Sequence, residues 1–266
     1  MKIKRILTVC AVISIVFSTA VFSAPYAAFV IDAKTGEVLH EENATMRLHP
    51  AGLTKLMTLY AAYDAVETGL IAVDEPIRIS KKAAAQEKVN LQLTAGQRIE
   101  FADLLRAAAV KGANDAATAI GEGIDGSLSI FARRMNVMAK ELGMERSTFR
   151  NPHGLTEKGH LSTARDIGKL FLALKRDFPE YFPTFNREVT RVGDRSVVHS
   201  GHRLLKYIPG IRGAKFGYTR AAGFNGAVYV KRGSKEIVAV IFGGRSTATM
   251  VRQMQLIVDE GFATYN

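Results

Sequence analysis

The chain has almost no cysteine, since Cys10 is the only one among its 266 residues. It lies in an N-terminal segment of the targeting type, so the chain beyond that segment cannot form a disulfide. The six histidines show no metal-site spacing supported by carboxylates, although His199 and His202 come closest. Stability must therefore come from a packed core, which a hydrophobic content of 47% allows, and neither a metal nor another cofactor is expected.

Signs of a modular organisation are also missing. The sequence shows no internal repeat, low-complexity tract or interdomain linker, which favours one large domain or two interlocked subdomains. The formal net charge of +11 is spread along the chain without a long basic run, so it does not locate a binding patch.

The first 24 residues have the pattern of a signal peptide. A basic start is followed by an apolar stretch and by small residues after which cleavage is expected: Lys2, Lys4 and Arg5; Ile6 to Phe17; Ala20 or Ala24. A retained anchor is the alternative, because the apolar run up to Phe22 just reaches the ~17 residues that span a bilayer. We expect an exported, periplasmic protein, with no membrane span in residues 25–266 after cleavage.

The charge of the exported chain indicates its partners. Loss of the leader lowers the net charge from +11 to +8, because the leader carries three basic residues and no acidic ones. A basic exported protein meets lipid headgroups, outer-membrane polysaccharide or the carboxylates of peptidoglycan stems, whereas nucleic acid is not expected. The alternative is a solvated basic surface without a specific partner.

Hydrophobic periodicity predicts helices in the middle of the chain and hairpins at both ends. Helices are predicted from Gly52 onward and over about Phe101–Val110, Asn114–Ile124, Ser127–Leu142, Ala164–Phe178 and Thr249–Phe262. Strands are predicted at Tyr26–Ile31, from Val38 onward, and at Ile77–Ser80, Glu188–Val197, Gly226–Val230 and Ile237–Phe242. This order predicts an α+β domain whose antiparallel sheet joins N- and C-terminal strands.

Three short segments stand in the order of the motifs of penicillin-acting serine enzymes, which are Ser-x-x-Lys, Ser-x-Asn and Lys-Thr-Gly. They are Gly52-Leu53-Thr54-Lys55, Gly112-Ala113-Asn114 and Lys215-Phe216-Gly217. In such a motif set, a serine hydroxyl lies one helical turn from an amine that takes its proton. The second motif supplies another hydroxyl and an amide for the substrate, and the third supplies a cation and a hydroxyl on a strand that lines the cleft.

Other stretches match the same group of enzymes: Pro25 to Asp32, Glu141 to Met144, Asn151 to Leu155 and Thr163 to Asp166. Together these segments resemble the D-alanyl-D-alanine carboxypeptidases, the low-molecular-mass penicillin-binding proteins of peptidase family S11, over nearly all of residues 25–263. The resemblance implies a penicillin-binding-protein or serine β-lactamase-like transpeptidase fold. Such a fold is α+β, with an antiparallel sheet flanked by helices and with a helical subdomain. An extra β-rich domain and a C-terminal amphipathic anchor, which relatives often carry, are not expected in residues 25–266.

The chain departs from the family pattern at the positions of the reacting groups. The resemblance places Gly52 at the nucleophilic serine, Gly112 at the serine of the second motif and Phe216 at the threonine of the third. Met250 stands at an arginine that helps to bind the terminal carboxylate of the substrate, although Arg252 is near. Phe216 removes a hydroxyl and is expected to narrow the cleft.

Other family positions are retained. The resemblance assigns substrate binding to Asn114, Lys215, Gly217 and Tyr218, and proton transfer to Lys55. Each also has a structural interpretation, in which the two lysines anchor a helix and a strand within a buried polar seam. Asn114 would then cap the helix that begins there. His153 more simply fixes its own loop.

No neighbouring residue is expected to replace the missing nucleophile. Thr54 lies about 200° around the helix from position 52 and should point away from the cleft. Thr58 should lie a turn deeper against the core, and Tyr218 normally contributes its backbone.

We therefore expect a catalytically degenerate family member, an exported pseudoenzyme with a binding or regulatory role at the cell wall. Its partners would be peptidoglycan or active cell-wall enzymes. The alternative is an active serine-type D-Ala-D-Ala carboxypeptidase that trims peptidoglycan pentapeptides. If the cleft is otherwise preserved, Gly52→Ser combined with Gly112→Ser and Phe216→Thr should recover some acylation by penicillin.

Overall fold

The computed structural model describes residues 24–87, 89–201, 204 and 206–265. The predicted leader thus falls almost entirely outside the described residues, as does His202. Within that part of the chain, no helix has the length and apolar content needed to cross a membrane.

A five-stranded antiparallel sheet forms the centre of the molecule. The strands of the described residues are β1 (Ala27–Asp32), β2 (Val38–Glu42), β3 (Pro76–Arg78), β4 (Arg98–Glu100), β5 (Val189–Val192), β6 (Arg195–Val198), β7 (Ile211–Thr219), β8 (Gly223–Arg232) and β9 (Lys235–Gly244). The central sheet has the order β2-β1-β9-β8-β7, while β3–β4 and β5–β6 form separate two-stranded sheets. The sheet therefore joins both ends of the chain, and the predicted α+β class is confirmed.

Helices cover both faces of the sheet. The helices of the described residues are α1 (Thr54–Glu67), α2 (Lys81–Ala84), α3 (Phe101–Arg106), α4 (Asn114–Asp125), α5 (Leu128–Glu141), α6 (Ala164–Asp177) and α7 (Thr247–Ala263). Of these, α6 and α7 pack directly on the central strands. A 3₁₀ turn at Ala51–Leu53 precedes α1, and a π-helical turn at Ala107–Lys111 follows α3. Helix α4 packs against α1, α2, α3 and α5 and forms the centre of a helical subdomain beside the sheet.

The central strands are apolar on both faces because each face meets a helical layer. In β9, Val238, Val240 and Phe242 belong to the core shared with α1 and α6, whereas Ile237, Ala239 and Ile241 belong to the core under α7. This explains why the strand is a continuous apolar run instead of alternating with polar residues.

The predicted helices and hairpins are present with small changes in their bounds. Strand β8, for example, begins three residues earlier and ends two residues later than predicted. Three short elements were not predicted, namely α2, β4 and a 3₁₀ segment at Phe182–Asn186. Each is only three to five residues long, which is too short for hydrophobic periodicity to show.

Candidate active site

A cleft of about 350 Å³ lies between the first turn of α1, the start of α4 and strand β7. The residues predicted for the site that line it are Gly52, Lys55, Gly112, Asn114, Phe216, Gly217 and Tyr218. Lys215 does not line the cleft, because its side chain is fully buried behind the lining. Three segments that are distant in sequence are therefore brought together at one place.

Lys55 is held at the floor of the cleft by two oxygen atoms. Its Nζ donates to Asn114 Oδ1 and to the His153 carbonyl, each at 2.6 Å. Burial lowers the pKa of the Lys55 amine to about 7, although the nearby Asp115 carboxylate acts in the opposite direction. Near neutral pH, a large fraction of this amine is therefore uncharged.

Asn114 does not cap its helix, so the capping interpretation is wrong. Ala113 is the N-cap of α4, and Asn114 is its first helical residue. The Asn114 amide donates from Nδ2 to the Glu87 carbonyl at 2.9 Å, which turns Oδ1 toward Lys55. The side chain orients the amine across the cleft instead of satisfying the helix terminus.

Lys215 anchors β7 to the helical subdomain. Its Nζ donates to the carbonyls of Ala108 and Ala109 at 2.5 and 2.7 Å, within the π-helical turn. Burial lowers the pKa of Lys215 well below its usual value, and the Lys55 charge acts in the same direction. Both lysines thus make the buried hydrogen bonds that the structural interpretation expects, and the functional roles that the resemblance implies stay predictions.

Gly52 and Gly217 lie in direct backbone contact. A β-carbon at position 52 would lie 2.7 Å from the Phe216 carbonyl oxygen and 2.8 Å from Gly217 Cα. A β-carbon at position 217 would lie 2.2 Å from the Gly52 nitrogen. Because backbone atoms cannot move aside as side chains do, the 3₁₀ turn that precedes α1 and strand β7 have their observed spacing only with glycine at both positions.

Gly112 has more room but an unusual backbone conformation. A β-carbon there would lie 3.6 Å from Lys215 Nζ and 3.9 Å from Ser200 Oγ, which is ordinary contact. The φ angle of Gly112 is +75°, in the left-handed region that favours glycine.

Phe216 fills the side of the cleft that adjoins β8. Its ring lies so close to Gly201 that a β-carbon there would be 2.2 Å from Phe216 Cδ2. A β-carbon at position 226 would lie 3.1 Å from both Phe216 Cδ1 and Met250 Sδ, so the ring and the thioether border one apolar wall. This part of the cleft therefore presents carbon and sulfur atoms where a carboxylate would need donors.

The loop containing His153 lies against the opposite side of the cleft. His153 Nδ1 accepts from the Leu155 N–H at 3.2 Å, and Gly154 N donates to Asn151 Oδ1 at 2.7 Å. Burial lowers the pKa of His153 to about 3, with a smaller contribution from the Lys55 charge. The prediction that His153 fixes its own loop is confirmed.

The two threonines of α1 point away from the cleft, as predicted. Thr54 Oγ1 bonds His160 Nε2 at 2.8 Å, and Thr58 Oγ1 donates to the Pro152 carbonyl at 2.6 Å. Both side chains are fully buried. Tyr218 is 56% exposed, and its ring packs on Phe224 with 4.4 Å between centroids.

Sequence reasoning missed two buried polar residues that shape the site. The Asp115 carboxylate accepts the N–H groups of Leu91 and Leu93, at 2.9 and 3.1 Å, and so ties the 91–93 loop to the start of α4. Asn225 lines the cleft, donates to the His49 carbonyl and accepts from Gly243 N. The one sequence signal that could have pointed to Asp115 is its position directly after the motif residue Asn114, at the start of α4.

Of the histidine pair considered for a metal, His202 lies outside the described residues. Among the residues that the structure does describe, no group of three His, Cys, Asp or Glu side chains is arranged to hold a metal ion.

Comparison with known proteins places the chain in a family. The profile of the peptidase S11 family, described as D-alanyl-D-alanine carboxypeptidase, matches residues 19–246. The chain is 32% identical over 241 residues to the D-alanyl-D-alanine carboxypeptidase DacF of Bacillus subtilis. That match covers 90% of this chain and 62% of DacF, so the chain spans about three fifths of its relative's length.

Solved structures show the same fold. Penicillin-binding protein 5 from Haemophilus influenzae superposes with a TM-score of 0.84 at 26% identity, over 89% of this chain and 70% of that one. Penicillin-binding protein D2 from Listeria monocytogenes, in its ampicillin-bound form, gives 0.77 at 28% identity, over 89% and 96%. The expected penicillin-binding-protein fold is thus confirmed, and the chain belongs to the D-alanyl-D-alanine carboxypeptidase family, peptidase S11.

Proposed function

We propose that this chain is an exported member of the family that does not act as a serine peptidase and that binds or regulates at the cell wall. The observation that carries the proposal is Gly52, which provides no hydroxyl at the head of α1 and lies in backbone contact with Gly217. Removing the nucleophilic serine of a serine protease lowers turnover by about 10⁶-fold.

Two further positions support the same conclusion. Gly112 provides no second hydroxyl for proton transfer, and its neighbour Lys215 donates to two carbonyl groups behind the cleft. The wall of Phe216 and Met250 offers no donor to a peptide carboxylate placed against it, and a desolvated carboxylate that lacks a partner there is disfavoured by about 1–3 kcal/mol. The proposal therefore rests on two changes in one cleft, the missing hydroxyl at position 52 and the apolar wall at Phe216 and Met250.

The alternative is an active D-Ala-D-Ala carboxypeptidase that trims pentapeptides by an unconventional route. It is favoured by the family and by the retained pair of Lys55 and Asn114, whose hydrogen bond is intact. In that case the attacking group would have to be water or a residue other than Gly52.

Covalent labelling by a fluorescent penicillin separates the two proposals. We expect the purified protein to remain unlabelled and to release no D-alanine from a pentapeptide, because no hydroxyl is available at position 52. An active family member, treated in parallel, supplies the positive control. A stoichiometric acyl adduct, or D-alanine release that a β-lactam blocks, would establish the enzyme instead.

A further inference from the structure

The Lys55 amine combines burial with access to a cavity. Its side chain is only 2% exposed, yet the residue lines the cleft. An uncharged amine has two N–H groups and one lone pair, and the bonds to Asn114 Oδ1 and the His153 carbonyl use both N–H groups. The lone pair remains, and Gly52 has no side chain that could compete for it.

Burial, rather than any neighbouring charge, favours the uncharged amine of Lys55. Burial is the main cause of its pKa of about 7, and the charge of Lys55 adds to the burial that lowers the pKa of Lys215. The ring of His153 is neutral at this pH because its pKa is about 3. The negative charge of Asp115 raises the pKa of Lys55 and so acts against the effect of burial. The Asp115 carboxylate is itself hydrogen-bonded to N–H groups of the 91–93 loop.

The cavity beside this amine is largely apolar. Phe216, Phe224, Met250, Leu155 and Val89 contribute to its walls. A volume of about 350 Å³ lies at the lower end of the range for small-molecule sites. A compact ligand with one aromatic or branched aliphatic group would fit, whereas a carboxylate would face Phe216 and Met250 without donors.

We infer that Lys55 is a covalent binding site for small aldehydes and ketones that carry an apolar substituent, which it holds as an imine. Lysines of this kind, desolvated in an apolar pocket, are the residues that form Schiff bases with carbonyl compounds. This inference goes beyond the proposed role at the cell wall and does not depend on it.

The reaction balances without a further reactant. The Nζ lone pair forms a bond to the carbonyl carbon, and the π electrons move to oxygen, which takes up a proton that nitrogen releases. The resulting carbinolamine then loses water as nitrogen forms a double bond to carbon. The sum is amine plus carbonyl giving imine plus water, with no change in oxidation state.

Two other lysines serve as internal comparisons. Lys215 is also desolvated, but it is fully buried behind the lining and donates to Ala108 and Ala109. Lys111 also lines the cleft but lies at its edge, half-buried. Only Lys55 combines a desolvated amine with contact to the cavity among these three.

Reductive trapping tests the inference. The purified protein is treated at pH 7 with benzaldehyde and cyanoborohydride, which reduces an imine to a stable benzylamine, and the adduct is located by peptide mapping. We expect Lys55 to be labelled at least about tenfold faster than Lys111 or Lys215. An ordinary lysine, with its pKa 3.5 units higher, is about 10³-fold less available as free amine. The labelling rate at Lys55 should rise with pH and level off above about pH 7.

Controls address the ligand and the residue separately. Glyoxylate, an aldehyde with a carboxylate in place of the ring, should label Lys55 several-fold more slowly than benzaldehyde. Lys55→Arg keeps hydrogen-bond donors but forms no imine, and it should lose the main adduct while melting close to the parent protein. Because mapping on the parent protein decides the site, the result does not depend on that variant folding. Labelling of Lys55 no faster than that of Lys111, or a rate that keeps rising to pH 10, would overturn the inference.

Discussion

Gly52 and Gly217 are 165 positions apart in the sequence, yet the structure gives them one shared role. Each removes a β-carbon that would overlap the other's backbone, so the pair sets the distance between α1 and β7. Gly112 differs, since its left-handed conformation and not its surroundings disfavours other residues. The glycines in the first and second motifs are therefore required for different physical reasons.

Gly52→Ser is predicted to destabilise the fold by about 3 kcal/mol, because helix or strand has to shift to make room. Gly112→Ser should cost only about 1 kcal/mol, from its backbone conformation. Urea unfolding of the two single variants measures the difference. Gly52→Ala should lose as much stability as Gly52→Ser, which separates overlap from the effect of the hydroxyl. Equal stability of Gly52→Ser and the parent protein would show that the contact yields without cost.

This overlap adds a condition to the expected recovery of penicillin acylation by the triple variant at positions 52, 112 and 216. The recovery remains a prediction, and it requires β7 to move away from the new serine. Acylation by the triple variant without a matching loss of stability would mean that the strand moves freely.

Among the elements, the loop that contains His153 and His160 depends on both imidazole rings being uncharged. His160 Nδ1 accepts the N–H of Arg150 at 3.0 Å, so its proton lies on Nε2 and is donated to Thr54 Oγ1. Burial lowers the pKa of His160 to about 4, with a smaller effect from His49. Protonation of the His160 ring would put a proton on Nδ1, which could then no longer accept the Arg150 N–H.

Acid is therefore predicted to unfold the protein early. The unfolded chain takes up protons on these histidines near pH 6.5, whereas the folded protein takes them up only near pH 3 to 4. The free energy of unfolding should be unaffected above pH 6.5 and should fall between about pH 6.5 and 4, by on the order of 2–3 kcal/mol per histidine. Urea titrations at several pH values measure this slope. His160→Gln should be less stable at pH 7.5 but lose less on acidification, and an unchanged slope would contradict the assignment.

The elements also show what the sequence could predict. Helices α5 and α6 were predicted to within one residue at each end, because apolar residues recur there at helical spacing over fourteen positions. Strand β7 was placed only through its motif, since its glycines and polar residues give no alternation. The π-helical turn that offers its carbonyls to Lys215 was not predictable, because it depends on a contact about 100 residues further along the chain.

In the candidate site, too, some features could be predicted from the sequence and others could not. Motif order brought the three segments of the cleft together correctly, and the anchoring roles of the lysines followed from their residue type. The Asn114 cap was predicted from local preference, but the contact with Lys55 on another helix determined the side chain's direction. The overlap at Gly52 required knowledge of the distance between two backbones, which no sequence pattern contains.

On the scale of the whole molecule, binding to the cell wall by net positive charge and binding by a specific surface should differ in their dependence on salt. We expect the protein without its leader to co-sediment with pentapeptide-rich sacculi and to remain bound at high salt. At 1 M ionic strength the screening length is ~3 Å, so attraction between exposed charges is largely removed. An unrelated protein of similar positive charge should be released. Release of both proteins by moderate salt would leave only charge attraction and direct the search to protein partners.

The pairing of β1 with β9 has a consequence for the order of synthesis. Ala27 lies opposite Phe242 in the register, so more than 200 residues must be made before β1 meets this neighbour. Until then β1 has only β2 beside it, and an isolated hairpin is marginally stable in water. A growing chain therefore cannot complete its central sheet before β9 has been made, so the two halves of the sheet are joined only after the helices between them have been synthesised.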